Sequence, residues 1–237
     1  MEEMPKSSAT VRFHSKFIEF KEGRLVINLL LFKLKFNLKY NTNKLYTRKA
    51  DGTLQILKRI PKGLNIEFHG YNSTVIIDSN DNSYVDCNFQ MYSNSYVEIE
   101  KIHCTKAINL TIHANNNSKV IIKEDFNCAG TCIVAGEGCC VNIGKGCMFS
   151  DTVYLRSSDQ HKIFDKTTNN LVNKPQDINI GERVWLGHNV TVLKGVTIPN
   201  DTIVGTNSTV TKSFEEPNTI IAGVPAKVLK RGVYWER

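Results

Sequence analysis

The chain has 237 residues, of which 41% are hydrophobic and 22% charged, a balance that excludes wholesale disorder and a membrane-embedded chain. A formal net charge of +7 and a pI of about 9.0 point to an anionic partner without choosing between nucleic acid, phospholipid and a phosphorylated small molecule. All-β architectures of this length often form one domain, so the expectation is an N-terminal extension over 1–60 followed by a single body over 61–237.

The first stretch, MEEMPKSSATVRFHSKF, begins acidic and has no apolar core before a small-residue cleavage site. No signal peptide is read there, and a cytoplasmic location is expected. The most apolar stretch, LVINLLLFKLKFNLKY from Leu25 to Tyr40, is broken by Lys33, Lys35 and Lys39, well short of the roughly 20 apolar residues a membrane span needs. It reads as an amphipathic strand or helix that caps the following core. Docking over 25–40 on the anionic inner-membrane surface is the second reading.

Further along, NSTVIID, NSYVEIE and NSKVIIK place Val75, Val97 and Val120 at intervals of 22 and 23 residues, as successive coils with longer turns would. Seven cysteines lie between Cys87 and Cys147, including the adjacent Cys139 and Cys140. Their spacing fits neither a paired zinc site nor a secreted disulfide framework, so they read as reduced, small apolar core residues, with no metal expected.

A strict period of six then sets in. IGKGCM, FSDTVY and LRSSDQ place Ile143, Phe149 and Leu155 six residues apart. From Ile180 the chain divides into IGERVW, LGHNVT, VLKGVT, IPNDTI, VGTNST and VTKSFE, each opening on Ile, Leu or Val. The fifth position of the first five blocks is Val184, Val190, Val196, Thr202 and Ser208. An apolar residue every sixth position with a small one four further on suits short strands and tight corners wound into a parallel β-solenoid, three sixes to a triangular coil. The plentiful Asn and Gly suit corners that need positive φ. A helix would want a 3.6 spacing, and Pro175, Pro199, Pro217 and Pro225 argue against long helices. The N-terminal segment and Ala226–Arg231 are the expected end caps.

Leu155 and Ile180 are 25 residues apart, which is not a multiple of six, so residues 162–177 are expected to leave the solenoid as a loop. Loops extruded from a rigid scaffold commonly carry binding and catalysis. SSDQHKIFD puts His161 where that loop begins.

The run INIGERVWLGHNVTVLKGVTIPNDTIVGTNSTVTKSF followed by IIAGVPAKVLK resembles the left-handed parallel β-helix, hexapeptide-repeat acyltransferases. Within them it is most similar to the O-acetyltransferases of bacterial capsular and other surface polysaccharides, including those acting on sialic acid. The likeness covers 141–231 well, covers 60–140 as loose repeats and leaves about the first 50 residues unmatched. It implies an all-β, left-handed parallel β-helix assembled as a homotrimer, with acetyl-CoA in the groove between neighbouring solenoids. It further implies His161 as the base and Trp185 as a wall of the active site. Pantetheine and nucleotide contacts fall on Thr206, Thr211, Lys212, Lys227 and Lys230, the last two replacing arginines of some relatives.

The residues support parts of this independently. A neutral imidazole with a pKa near ~6.5 suits removal of a proton from a sugar hydroxyl. The thioester arrives activated, so direct transfer in a ternary complex needs no covalent acyl-enzyme, and no GxSxG nucleophile motif is present. Asp159, two residues before His161, leaves on the same face if the segment is extended; it orients the ring, contacts the acceptor or simply forms a turn. Trp185, at a variable corner position, reads as a binding wall. His188 lacks the companion histidines of a zinc site on neighbouring hexads and reads as a groove residue near the cofactor. His69, His103 and His113 read as ordinary surface or core histidines. Lys212, Lys227, Lys230 and Arg231 suit the phosphates of coenzyme A or a solvated face. The expected activity is acetyl transfer to a carbohydrate hydroxyl. N-acetylation of a nucleotide-linked amino sugar and a non-enzymatic binding solenoid are the alternatives, and no nucleic-acid motif is seen.

Overall fold

In a computed structural model, the backbone is described for residues 18–21, 24–29 and 32–37, and the whole of 42–49, 51–80, 82–102 and 106–237. Among the described residues every regular element is a strand. The strands stack into three parallel faces, and the chain visits them in turn.

The first face runs through Leu64–Phe68, Cys87–Met91, Leu110–Ala114, Thr131–Ala135, Val153–Arg156, Thr191–Leu193 and Thr209–Val210. The second runs from Thr74–Ile76 to Thr197–Ile198, and the third from Tyr84–Val85 to Thr219–Gly223. Each strand pairs in parallel with its counterpart one coil on, so Val75, Val97 and Val120 are direct neighbours. The extra residues of these early coils sit in longer strands rather than in longer turns. Leu110–Ala114 has five residues where Thr191–Leu193 has three, and Lys119–Ile122 has four where Thr197–Ile198 has two.

The hexads work as their period implies. Ile180, Leu186, Val192, Ile198, Val204 and Val210 all point inward and are at most 4% exposed, and this repeated burial is the main stabilising term of the fold. The fifth-position residues, Val184, Val190, Val196, Thr202 and Ser208, are buried at the corners. The residue before each of them, Arg183, Asn189, Gly195, Asp201 or Asn207, has φ between 52° and 76°. That left-handed conformation turns the chain onto the next face, and Asn and Gly adopt it most readily. Cys87, Cys128 and Cys147 are free, buried thiols within the core. Burial pushes Cys128 and Cys147 up to about 12.

Both ends are closed by antiparallel strands. Ile18–Lys21, Arg24–Leu29 and Phe32–Asn37 extend the first sheet beyond Leu64–Phe68. Lys44–Arg48 and Leu54–Ile56 do the same for the second, and Ala226–Arg231 for the third. The described backbone between Leu25 and Tyr40 is therefore strand. Its side chains, on which membrane docking depends, lie outside the described residues, as do the stretch read for a signal peptide and His103.

Candidate active site

Residues 157–177 join the first-face strand Val153–Arg156 to the second-face strand Ile178–Ile180, and the part between Ser157, which is buried, and Asp177 leaves the solenoid. The extruded segment doubles back through an antiparallel bridge between Phe164 and Leu171. Asp165 closes its tip by accepting hydrogen bonds from the Thr167 and Thr168 amides at 2.9 and 2.7 Å. The tip exposes apolar surface, with Ile163, Phe164 and Val172 each more than half accessible.

His161 is exposed near the root of this loop and lines a recess with Asn115, Asn116, Glu137, Gln160 and Asn173. The side chain of Asn173 spans the loop's two limbs. Its Nδ2 donates to the His161 carbonyl at 2.7 Å and to Asp159 Oδ2 at 2.9 Å, while its Oδ1 accepts from the Ile163 amide at 2.7 Å. Lys194, from the following coil, reaches Asp159 Oδ2 and also donates to the Asn173 carbonyl at 3.3 Å. Lys194 first, and Asn173 second, hold the Asp159 carboxyl below the usual carboxylate range. The geometry gives Asp159 a role beyond those considered, an anchor of the loop. Its carboxylate meets Lys194 and Asn173, and it reaches His161 through Asn173 at the backbone.

Lys194 and Asn173 were not legible as site residues. Lys194 occupies an ordinary third position of a hexad, and only the pairing of Arg156 with Leu193 across the intervening loop brings it beside the loop root.

Trp185 stands on the third face, the side of the prism opposite the corner that carries His161. One chain therefore does not bring these two residues together. Its indole Nε1 is buried without a hydrogen-bond partner, and its ring lies 6.0 Å from that of Trp235.

His188 and Thr206 occupy equivalent positions at the corner between the third and first faces, one coil apart, since Leu186 pairs with Val204. Asp151 precedes them in the same column, and its Oδ1 lies 2.8 Å from His188 Nδ1. This contact holds the Asp151 carboxyl below its usual range. Asp151 went unrecognised in the sequence because the loop insertion separates it from His188 by more than a plain coil. At the next corner round, Lys212 shares a recess with Lys227, Phe214 and Glu216. Thr211 immediately precedes Lys212, and Lys230 is exposed on the last strand. Arg231 is paired with Glu216 at 2.7 Å. Among the described residues no cluster of His, Cys, Asp and Glu could hold a metal ion.

The bacterial transferase hexapeptide (six repeats) family matches residues 177–212. A polysialic acid O-acetyltransferase of Escherichia coli O1:K1 / APEC is 35% identical over 137 residues, 58% of this chain and 44% of that protein. A polysialic acid O-acetyltransferase of Neisseria meningitidis is 50% identical over 97 residues, 41% of this chain and 45% of that protein. The matched part thus spans less than half the length of these curated relatives. The crystal structure of the polySia specific acetyltransferase NeuO superposes with a TM-score of 0.70 at 33% identity, over 83% of this chain and 85% of that one.

A triangular parallel solenoid built of hexads, with one loop thrown out at a corner, defines a hexapeptide-repeat protein. With the extended match to NeuO, the chain belongs to the hexapeptide-repeat acyltransferase family, alongside the polysialic acid O-acetyltransferases.

Proposed function

We propose that this protein transfers an acetyl group from acetyl-CoA to a hydroxyl of a sialic-acid-containing capsular or other surface polysaccharide. The observation that carries the proposal is the match to the polySia specific acetyltransferase NeuO across 83% of this chain. The polySia specificity of that relative supplies the acceptor class.

The residues fit a coenzyme A thioester in their chemistry. Lys212 and Lys227 share a recess and offer two ammonium groups to phosphates. Thr206 and His188 add polar side chains on one exposed column. The bound thioester would supply an activated acyl carbon. His161 in its neutral form takes the proton from the acceptor hydroxyl as that oxygen attacks the acyl carbon. It returns the proton to the departing thiolate, so the base is restored and free thiol leaves.

A homotrimer gives this arrangement its geometry. His161 on the loop corner and Trp185 on the opposite face would meet only across a groove between neighbouring solenoids. The exposed apolar tip of Ile163, Phe164 and Val172 is suited to closing over that groove.

The test is thiol release from acetyl-CoA by the purified protein, with sialic acid oligomers, neutral oligosaccharides and amino sugars as acceptors. The expected result is turnover with a hydroxyl acceptor that falls by about 10²- to 10⁴-fold in His161→Ala. Unchanged turnover in that variant would remove His161 as the base, and an N-acetylated product from an amine acceptor would replace the acceptor class.

A further inference from the structure

Trp185 is given a wall by a segment the hexad pattern does not include. Residues 233–237 follow the last strand and turn back along the corner between the second and third faces. The Val233 amide donates to the Asn218 carbonyl at 3.0 Å. Arg237 Nη2 donates to the carbonyls of Asp125, Gly146 and Cys147 at 3.1 to 3.3 Å, several coils away. Between these anchors lies Trp235, only 8% exposed.

Trp235 is clamped by a single corner residue, Arg183, from both sides. Its indole Nε1 donates to the Arg183 carbonyl at 2.7 Å, and Arg183 Nη2 donates to the Trp235 carbonyl at 3.0 Å. The guanidinium carbon stands 5.7 Å from the centre of the Trp235 ring, a cation–π arrangement, and its Nε is held by Asp201 at 2.6 Å. The ring fixed in this way meets Trp185 at 6.0 Å with an interplanar angle of 50°, within the range of favourable tilted aromatic pairs. An indole projecting from the outer face of a sheet would otherwise sample several rotamers.

We propose that Trp235 is a positioning residue that locks the indole of Trp185 in one orientation on the third face, so that its ring is presented as a ready-made wall to the bound substrates. The link to turnover rests on the function proposed above; the orientation of Trp185 does not. Preorganisation of this kind lowers the ordering cost at the moment of binding. Segment 233–237 therefore acts as a brace for the site rather than as part of the solenoid's core.

The chain has two tryptophans, so Trp235→Ala and Trp235→Phe each leave Trp185 as the sole indole emitter. The expected result is stronger acrylamide quenching of Trp185 in the Ala variant than in the Phe variant, because only Phe retains a ring against it. Acceptor kcat/KM should drop about tenfold in Trp235→Ala and recover in Trp235→Phe, with the melting temperature of Trp235→Phe close to the parent. Equal quenching in the two variants would overturn the positioning claim whether or not the protein turns over. A turnover loss that tracks only a fall in melting temperature would reduce Trp235 to a stabilising contact. Should Trp235→Ala fail to fold, Arg183→Met made in the Trp235→Phe background loosens the clamp while keeping a ring at 235 and Trp185 as the sole emitter, and Trp185 quenching left unchanged there relative to Trp235→Phe would equally overturn the proposal. Absence of turnover in the parent protein would sink the proposed activity and leave the quenching comparison to decide the brace.

Discussion

Asp159 shows how one side chain can tie the two limbs of an extruded loop to the solenoid. Its carboxylate is shared between Lys194 and Asn173, and Asn173 in turn holds the His161 carbonyl. Because the folded-state pKa of Asp159 is depressed, its contribution is complete above the unfolded carboxylate value of about 3.9 and is lost as pH falls through the lower folded value. The anchor is thus intact across neutral pH and fails only in acid. Both partners are solvent-accessible, so the ion pair is modest, of the order of 1 kcal/mol at most. Lys194→Ala should therefore return the Asp159 titration toward about 3.9, followed by carboxyl NMR, and lower turnover by less than about tenfold. A loss as large as that expected of His161→Ala would mean that Lys194 acts on the reacting groups directly. The histidine and its loop could be read from the break in period. The anchor could not, since its residues are separated along the chain and meet only through stacking of coils.

At the scale of the element, the hexad is legible because burial imposes it twice per block, at the inward first position and at the crowded fifth. The residues between are set by the corner. At Gly181 an added Cβ would lie 2.5 Å from Asn200 Oδ1 and 2.6 Å from the Asn200 backbone nitrogen, and the backbone of the next coil has no room to yield. Gly181→Ala should cost about 1–3 kcal/mol by overpacking and lower the melting temperature by several degrees, read by circular dichroism. A melting temperature equal to the parent's would show that the coils can separate locally. Upstream, where strands of four and five residues replace those of two and three, the spacing still reveals coils. It does not reveal whether the added residues lengthen strands or turns, because either keeps the valines in line.

For the whole molecule, the decisive feature is what one solenoid leaves incomplete. The His161 corner and the Trp185 face look in different directions, and the loop tip carries Ile163, Phe164 and Val172 exposed. A homotrimer should therefore be found by light scattering, at about three times 26.8 kDa. A monomer that still turns over would require the groove to be built within a single chain, against the placement of these residues.

The sequence by itself determined the architecture, because a parallel solenoid repeats one local rule, and each hexad states that rule independently in its apolar and small positions. It also marked the loop and its histidine, since an insertion is visible wherever a strict phase is interrupted. Only the tertiary structure decided that Lys194 secures the loop, that Asp151 meets His188, and that Trp235 returns to brace Trp185. Each of these contacts joins residues on different coils or beyond the repeats, where proximity comes from winding the chain and no local pattern records it.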